Sequence, residues 1–228
     1  MNEILKENEV LDDLQLNNLM IIQNKLDYRF TSDSVLLANF AKVGHKDLVV
    51  EFCSGSGVIS ILLNEKCKPK QIVGFEIQEK LCEMSNRSLK YNKIENIEFL
   101  NKDLKQAEQI IGNGKVDVVV CNPPYYLLPK NQNDINEKYK LTKYEVLTSL
   151  TEILENASKI LKYSGKLYLV HISSRIQEIL SLAQKFNLIC KKMQFIYPTE
   201  KKSSHLVLMC FSKGGKCDCE VLKPNVLN

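Results

Sequence analysis

Short apolar runs alternate with amphipathic stretches through the middle of this 228-residue chain. Residues 47–52, 71–76, 97–100, 116–121 and 166–172 are each brief and rich in Val, Ile, Leu and Phe, which reads as buried strands. Helical periodicity falls between them: from Val58, over Lys80 to Tyr91, briefly after Asp103, over Glu145 to Leu161, and over 174–186. Strand–helix alternation of this kind predicts an α/β fold with a parallel, doubly wound sheet. Two late apolar runs, near 191–196 and 205–211, follow one another and predict a hairpin-like pair closing an edge. Ahead of the alternation, Leu14 to Leu16 and Met20 to Gln23 predict a small β-like arm over residues 1–30, with 31–228 as the main domain. Residues 126–143 are polar and rich in Asn and Lys, and a long mobile loop is expected there.

Composition narrows the class. Hydrophobic content of 44% and charge of 25% are ordinary for a soluble globular protein. No run is long and apolar enough to span a bilayer, and the polar, acidic start from Met1 to Glu7 is unlike a signal peptide, so a cytoplasmic location without membrane contact is expected. Of the eight cysteines only Cys217 and Cys219 are close, and the second half of a zinc site is missing, so no metal is expected. Net charge is +4, a mild excess. Its distribution says more: Lys191, Lys192, Lys201, Lys202, Lys213, Lys216 and Lys223 crowd the C-terminal end. A solvated Lys-rich face accounts for this as well as a phosphate-binding surface does. With only Arg29, Arg87 and Arg175 present, phosphate contacts would be point charges rather than guanidinium forks.

Asn122-Pro123-Pro124-Tyr125, directly after the strand over Val116 to Cys121, carries the chemistry. An exocyclic amine on a base is a poor nucleophile because its lone pair is delocalised into the ring. Acceptors aimed at its two N–H bonds favour the pyramidal, attacking form. The Asn122 side-chain carbonyl and the Pro123 backbone carbonyl supply two such acceptors, a case of electrostatic preorganisation. Each proline fixes its own φ and restricts the residue before it, so Asn122 and Pro123 are held extended. Tyr125 offers a flat face for a base drawn out of its stack. The plain alternative is a polar turn with two prolines. No Pro-Cys step exists, so Cys121 is not assigned a nucleophilic role.

Glu51-Phe52-Cys53-Ser54-Gly55-Ser56-Gly57 leaves the first strand of the alternation and enters a helix, where glycines permit close backbone approach to a ligand. The third glycine of a dinucleotide fingerprint is absent. Glu76, ending the next strand, suits both hydroxyls of a ribose, and Asp103 suits an adenine amino group, although a helix cap explains Asp103 alone. Ribose, adenine and an amino-acid tail describe S-adenosylmethionine better than a nicotinamide cofactor.

The order Glu51, Gly55-x-Gly57, Glu76, Asp103 and Asn122-Pro-Pro-Tyr resembles the class I S-adenosylmethionine-dependent methyltransferases. More closely, the chain resembles the bacterial tRNA(Val) adenine N6-methyltransferase group, which modifies adenine 37 beside the anticodon. Asp12 to Gln23 is similar to that group's N-terminal arm, Phe30 to Ala38 to its pre-core motif, and Phe195 to Pro198, His205 to Leu208 and Lys213 to Lys216 to its C-terminal hairpin and tail. Thr142-Lys143-Tyr144-Glu145 stands where the group has Ala-Arg-His-Glu, so Lys143 keeps the charge and loses the fork. The resemblance implies a seven-stranded, mostly parallel Rossmann-like sheet with helices on both faces and a reversed last strand. It implies a cofactor site of Thr31, Asp33, Glu51, Cys53, Gly55, Gly57, Glu76, Ile77, Asp103, Leu104 and Asn122, and a catalytic step at Asn122, Pro123, Pro124 and Tyr125. The implied partner is the anticodon loop of a tRNA, held by lysines of the arm, by Lys130 and Lys138 to Lys143, and by the C-terminal cluster.

Other readings share the motif. Release-factor glutamine methyltransferases use Asn-Pro-Pro-Tyr on an amide, but with a sizeable helical domain before the core, where only about thirty residues are expected here. Guanine-N2 methylation of ribosomal RNA is close in chemistry. DNA adenine methylation lacks room for a target-recognition domain. A non-catalytic RNA-binding module on the same scaffold is the alternative outside enzymology, and the intact motifs argue against it.

Overall fold

The computed structural model describes residues 4–26, 29–128 and 144–227. A hairpin of β1 (Glu9–Asp13) and β2 (Met20–Asn24) precedes α1 (Ser32–Phe40). Then come β3 (Leu48–Phe52), α2 (Val58–Cys67), β4 (Gln71–Phe75), α3 (Glu79–Asn92), β5 (Ile97–Leu100), α4 (Ala107–Ile111) and β6 (Val116–Cys121). The second half runs α5 (Leu150–Ile160), β7 (Leu161–Ile172), α6 (Ile176–Lys185), β8 (Leu188–Tyr197) and β9 (Leu206–Lys213), and the tail adds β10 (Glu220–Val221) and β11 (Asn225–Val226).

The main sheet has nine strands, in the order β10-β8-β9-β7-β6-β3-β4-β5, with β11 also pairing β8. Setting aside the two-residue tail strands leaves the seven expected. β3, β4, β5, β6 and β7 pair in parallel, and β9 runs antiparallel to both β7 and β8, so the last long strand is reversed. The chain builds outward from β3 through β4 to β5, then returns to place β6 on the other side of β3. That reversal of strand order opens a crevice at the carboxyl ends of β3 and β6, where open α/β sheets hold ligands.

Period-two alternation explains the two layers. Val49, Val118 and Val120 face one side with α1 and α2. Val50, Phe52, Val119 and Cys121 face the other with α5 and Ile179 of α6. Both faces are covered, so the strands read as unbroken apolar runs.

The β1–β2 hairpin is anchored to α3. Arg87 spans both carboxylate oxygens of Glu9 at 2.7 Å, the Ile22 amide donates to the Ser88 hydroxyl at 3.0 Å, and Asn92 exchanges hydrogen bonds with the Met20 backbone. Ile22 buries itself against Leu81 and Met84.

Several boundaries differ from expectation. The helix expected from Glu145 begins at Leu150, because Ser149 and Glu152 close a capping box that fixes the start. Glu145 is thereby left outside the helix and pairs with Arg175. The strand expected at 166 begins at Leu161, which pairs Val116 before an irregularity shifts the register. The tail strands were not foreseen. They bring Asp218 to Lys191 and Glu220 to Lys192 at 2.8 Å, so two lysines of the C-terminal cluster meet carboxylates of the chain itself. The expected mobile loop lies mostly outside the described residues, as do Lys130 and Lys138 to Lys143; its first residues, Tyr126 to Leu128, are described and exposed.

Candidate active site

A cavity of about 300 Å³ opens where β3 and β6 end. Its wall includes Thr31 and Asp33 of the α1 start, Glu51, Cys53 and Gly55 of the β3 turn, Glu76 and Ile77 after β4, Asp103 and Leu104 after β5, and Asn122 to Tyr125 after β6. Every expected site residue except Gly57 lines it. Parallel pairing produces this convergence: Phe52 lies in register with Phe75 and with Cys121, and Phe75 with Leu100, so the four turns leave the sheet side by side.

The two glycines of the turn have different duties. Gly55 has φ of +54°, and a Cβ built there would meet no atom within 4 Å, so its backbone faces open space. Gly57 has φ of +79° at the start of α2, and a Cβ there would lie 2.3 Å from the Phe99 ring. Gly57 is not among the lining residues, and Phe99 fills the space beside it, so this glycine serves helix–sheet packing.

Glu76 is buried, and its carboxylate accepts from the Gly55 amide at 2.7 Å and the Gln78 amide at 2.9 Å. Burial outweighs these bonds and raises its pKa. A carboxylate offers about four acceptor positions, so both oxygens keep capacity for ligand hydroxyls. Glu51 is fully buried and receives the Ser60 amide at 3.1 Å and the Ser60 hydroxyl. Desolvation pushes its pKa up to about 8, with a further push from the charge of Glu76. Asp103 caps the 3-10 turn Leu104–Gln106 through the Lys105 amide at 2.9 Å and meets the Lys105 ammonium at 3.1 Å. The plain capping role holds for Asp103 while it also borders the cavity.

At the other end, Asn122 donates through Nδ2 to the Ser34 hydroxyl at 2.9 Å and accepts at Oδ1 from the Tyr125 hydroxyl at 2.6 Å. The Tyr125 hydroxyl also lies 3.1 Å from Asp33 Oδ2. His171, fully buried, packs its ring against Tyr125 with centroids 5.2 Å apart. Burial, aided by Arg175, lowers the His171 pKa to about 4, so the ring is neutral near pH 7. Arg175 donates to the Tyr125 carbonyl at 2.9 Å and pairs with Glu145 and Glu178, joining both sides of the segment that leaves the site.

Sequence reasoning missed Ser34, Ser60, Arg175 and His171. A serine on the buried side of a helix is a weak signal by itself. Arg175 had one clue, as one of three arginines in a Lys-rich chain.

Two buried hydroxyls on the cavity wall, Ser54 Oγ and Thr148 Oγ1, find no partner among the described residues. Buried polar groups are normally satisfied, and both hydroxyls border the cavity. Orphan hydroxyls, an open Gly55 backbone and two buried carboxylates fit a ligand carrying a ribose and an ammonium group. Among the described residues no group of three or more His, Cys, Asp or Glu could hold a metal ion, and no helix is long and apolar enough to cross a membrane.

A doubly wound sheet with a reversed last strand, a glycine turn after its first core strand and a held carboxamide after its fourth define a class I methyltransferase. The chain belongs to the methyltransferase small domain family, whose sequence profile matches residues 23–196. It is similar to the tRNA1(Val) (adenine(37)-N6)-methyltransferase of Flavobacterium johnsoniae, 24% identical over 213 residues, covering 91% of this chain and 88% of that one. Against the release factor glutamine methyltransferase of Fusobacterium nucleatum, identity is 29% over 118 residues, covering 52% of this chain and 33% of the other. Among solved structures, a predicted O-methyltransferase of Agrobacterium tumefaciens superposes with a TM-score of 0.69 at 18% identity, covering 86% of this chain and 88% of that one. TYW2 of M. jannaschii in complex with AdoMet superposes with a TM-score of 0.63 at 13% identity, covering 91% and 87%.

Proposed function

We propose that this protein transfers a methyl group from S-adenosylmethionine to the exocyclic N6 of an adenine in tRNA, at adenine 37 of a valine tRNA. The observation that carries the reading is the Asn122 carboxamide, held by Ser34 at the mouth of the crevice between β3 and β6. Curated relatives named for this activity align over most of the chain, which supports the choice of substrate.

The cofactor supplies an electrophilic methyl on a cationic sulfur. Glu76 suits its ribose hydroxyls, Glu51 suits the side of its ammonium group, and Thr31 and Asp33 border the methionine end. Asn122 Oδ1 and the Pro123 carbonyl accept the two N–H bonds of the target amine and favour its pyramidal form. Tyr125 stacks on the base, which an anticodon loop presents already unpaired. The methylated nitrogen is cationic and gives up its proton readily, so the protein contributes position more than basicity.

The test is methyl transfer from labelled S-adenosylmethionine to bulk unmodified tRNA, followed by nucleoside analysis. N6-methyladenosine confined to valine tRNA is expected. N2-methylguanosine, or label only in a release factor, overturns the substrate.

A further inference from the structure

We propose that Asp33 is a positioning residue that takes over the Tyr125 hydroxyl when the target amine reaches Asn122. The inference rests on the functional reading above and adds a step to it.

Asn122 Oδ1 is the acceptor the amine needs, and one of its two lone pairs is already engaged: the Tyr125 hydroxyl donates to it at 2.6 Å. A phenol carries one proton. While that proton points at Asn122, it draws on the carbonyl oxygen that must receive an N–H bond of the substrate. The same hydroxyl lies 3.1 Å from Asp33 Oδ2, so a small turn of the O–H bond redirects the proton without moving the ring. A hydrogen bond to a carboxylate is roughly twice as strong as one between neutral groups, which offsets the longer starting distance.

The surroundings make the transfer specific. Asn122 cannot follow the hydroxyl, because its Nδ2 is held by Ser34 at 2.9 Å. The Tyr125 ring is backed by buried His171, with centroids 5.2 Å apart. Asp33 stands one residue before Ser34 on the first turn of α1, so one helix start holds the amide on one side and offers the new acceptor on the other. Substrate entry then exchanges one bond for two: the amine N–H bonds to Asn122, and the hydroxyl bonds to Asp33. The second bond fixes the tyrosine face against the base.

The test is a double-mutant cycle on the full chain, with kcat and KM measured for unmodified tRNA and for S-adenosylmethionine. Asp33→Ala leaves the hydroxyl on Asn122, in competition with the amine, and lowers kcat/KM for tRNA about tenfold. In a Tyr125→Phe background no hydroxyl competes, and adding Asp33→Ala changes kcat/KM by less than about twofold. Asp33→Asn keeps a neutral acceptor and falls between; it serves as well should the alanine variant fold poorly. Asp33 also borders the methionine end of the cofactor site, so the cycle is read at saturating S-adenosylmethionine, where any effect on cofactor binding is common to both tyrosine backgrounds and cancels. At saturating S-adenosylmethionine, an equal penalty in both tyrosine backgrounds overturns this inference and leaves the functional reading standing. Wild-type protein that methylates no tRNA overturns the reading and this inference together.

Discussion

Asn122 and Ser34, far apart in sequence, are joined by a 2.9 Å hydrogen bond that fixes which end of the carboxamide faces Tyr125. The amide nitrogen is committed to Ser34, so the oxygen is the atom presented to the crevice. Ser34→Ala removes that commitment and leaves a partly buried donor without its partner. One such bond is worth about 1–1.5 kcal/mol, so single-turnover methyl transfer should fall about tenfold while cofactor affinity is unchanged. A wild-type rate would show that Asn122 is oriented by something else.

The two glycines of the β3 turn should separate stability from binding. Gly57→Ala places a Cβ 2.3 Å from Phe99 at φ of +79°, so overpacking and left-handed strain add. A loss of about 2–4 kcal/mol is expected in urea unfolding. Gly55→Ala meets no atom within 4 Å, and only the strain of φ +54° remains. It should cost about 1 kcal/mol in stability, with weaker cofactor binding as its main effect. Equal destabilisation by the two would contradict the division of labour.

Glu51 makes stability depend on pH in an unusual direction for a carboxylate. Its folded pKa is raised to about 8 from 4.5, so the folded state binds the extra proton between these values. The contribution is fully present below about pH 4.5 and is lost as pH rises through 8. His171 acts oppositely: with its pKa lowered to about 4 from 6.5, it costs stability as pH falls below 6.5. The window from 6.5 to 8 therefore separates Glu51 from His171. Wild-type stability should decline across it, and Glu51→Gln should flatten the decline. Chemical denaturation at stepped pH reads this directly. Parallel slopes in the two proteins would place the proton elsewhere.

Arg175 ties the catalytic turn to the segment beyond the loop. Its guanidinium reaches the Tyr125 carbonyl and Glu145, and both partners of that ion pair are largely buried. Arg175→Ala leaves Glu145 buried and unpaired, a loss of about 3 kcal/mol or more. Arg175→Lys keeps the charge without the fork and should recover part of it. Turnover should fall further than cofactor affinity in both, because the clamp acts on Tyr125. Thermal unfolding alongside kinetics at saturating cofactor would separate these effects.

The strand runs at 47–52, 71–76 and 116–121 were legible because burial on both faces of a parallel sheet leaves continuous apolar segments. Asn122 to Tyr125 stood out because its signal is local: two prolines restrain four consecutive residues, and all four line the cavity. The glycine turn was half legible. Its spacing marked a strand-to-helix turn, but only the position of Phe99 shows that Gly55 faces the cavity and Gly57 the core.

The rest depends on contacts between distant residues. Ser34 with Asn122, Ser60 with Glu51, Arg175 with Glu145 and Arg87 with Glu9 are single polar pairs that leave no periodic trace in a sequence. The C-terminal lysines looked like a free basic cluster until the tail strands set Asp218 and Glu220 beside two of them. By itself the chain determined most of the strand and helix segments and the restrained turn at Asn122 to Tyr125, because periodicity and proline restraint act over a few residues. Only the folded sheet decided which serine aims the amide, which carboxyls lose water and which arginine closes the turn, because those outcomes depend on register and burial across the whole chain.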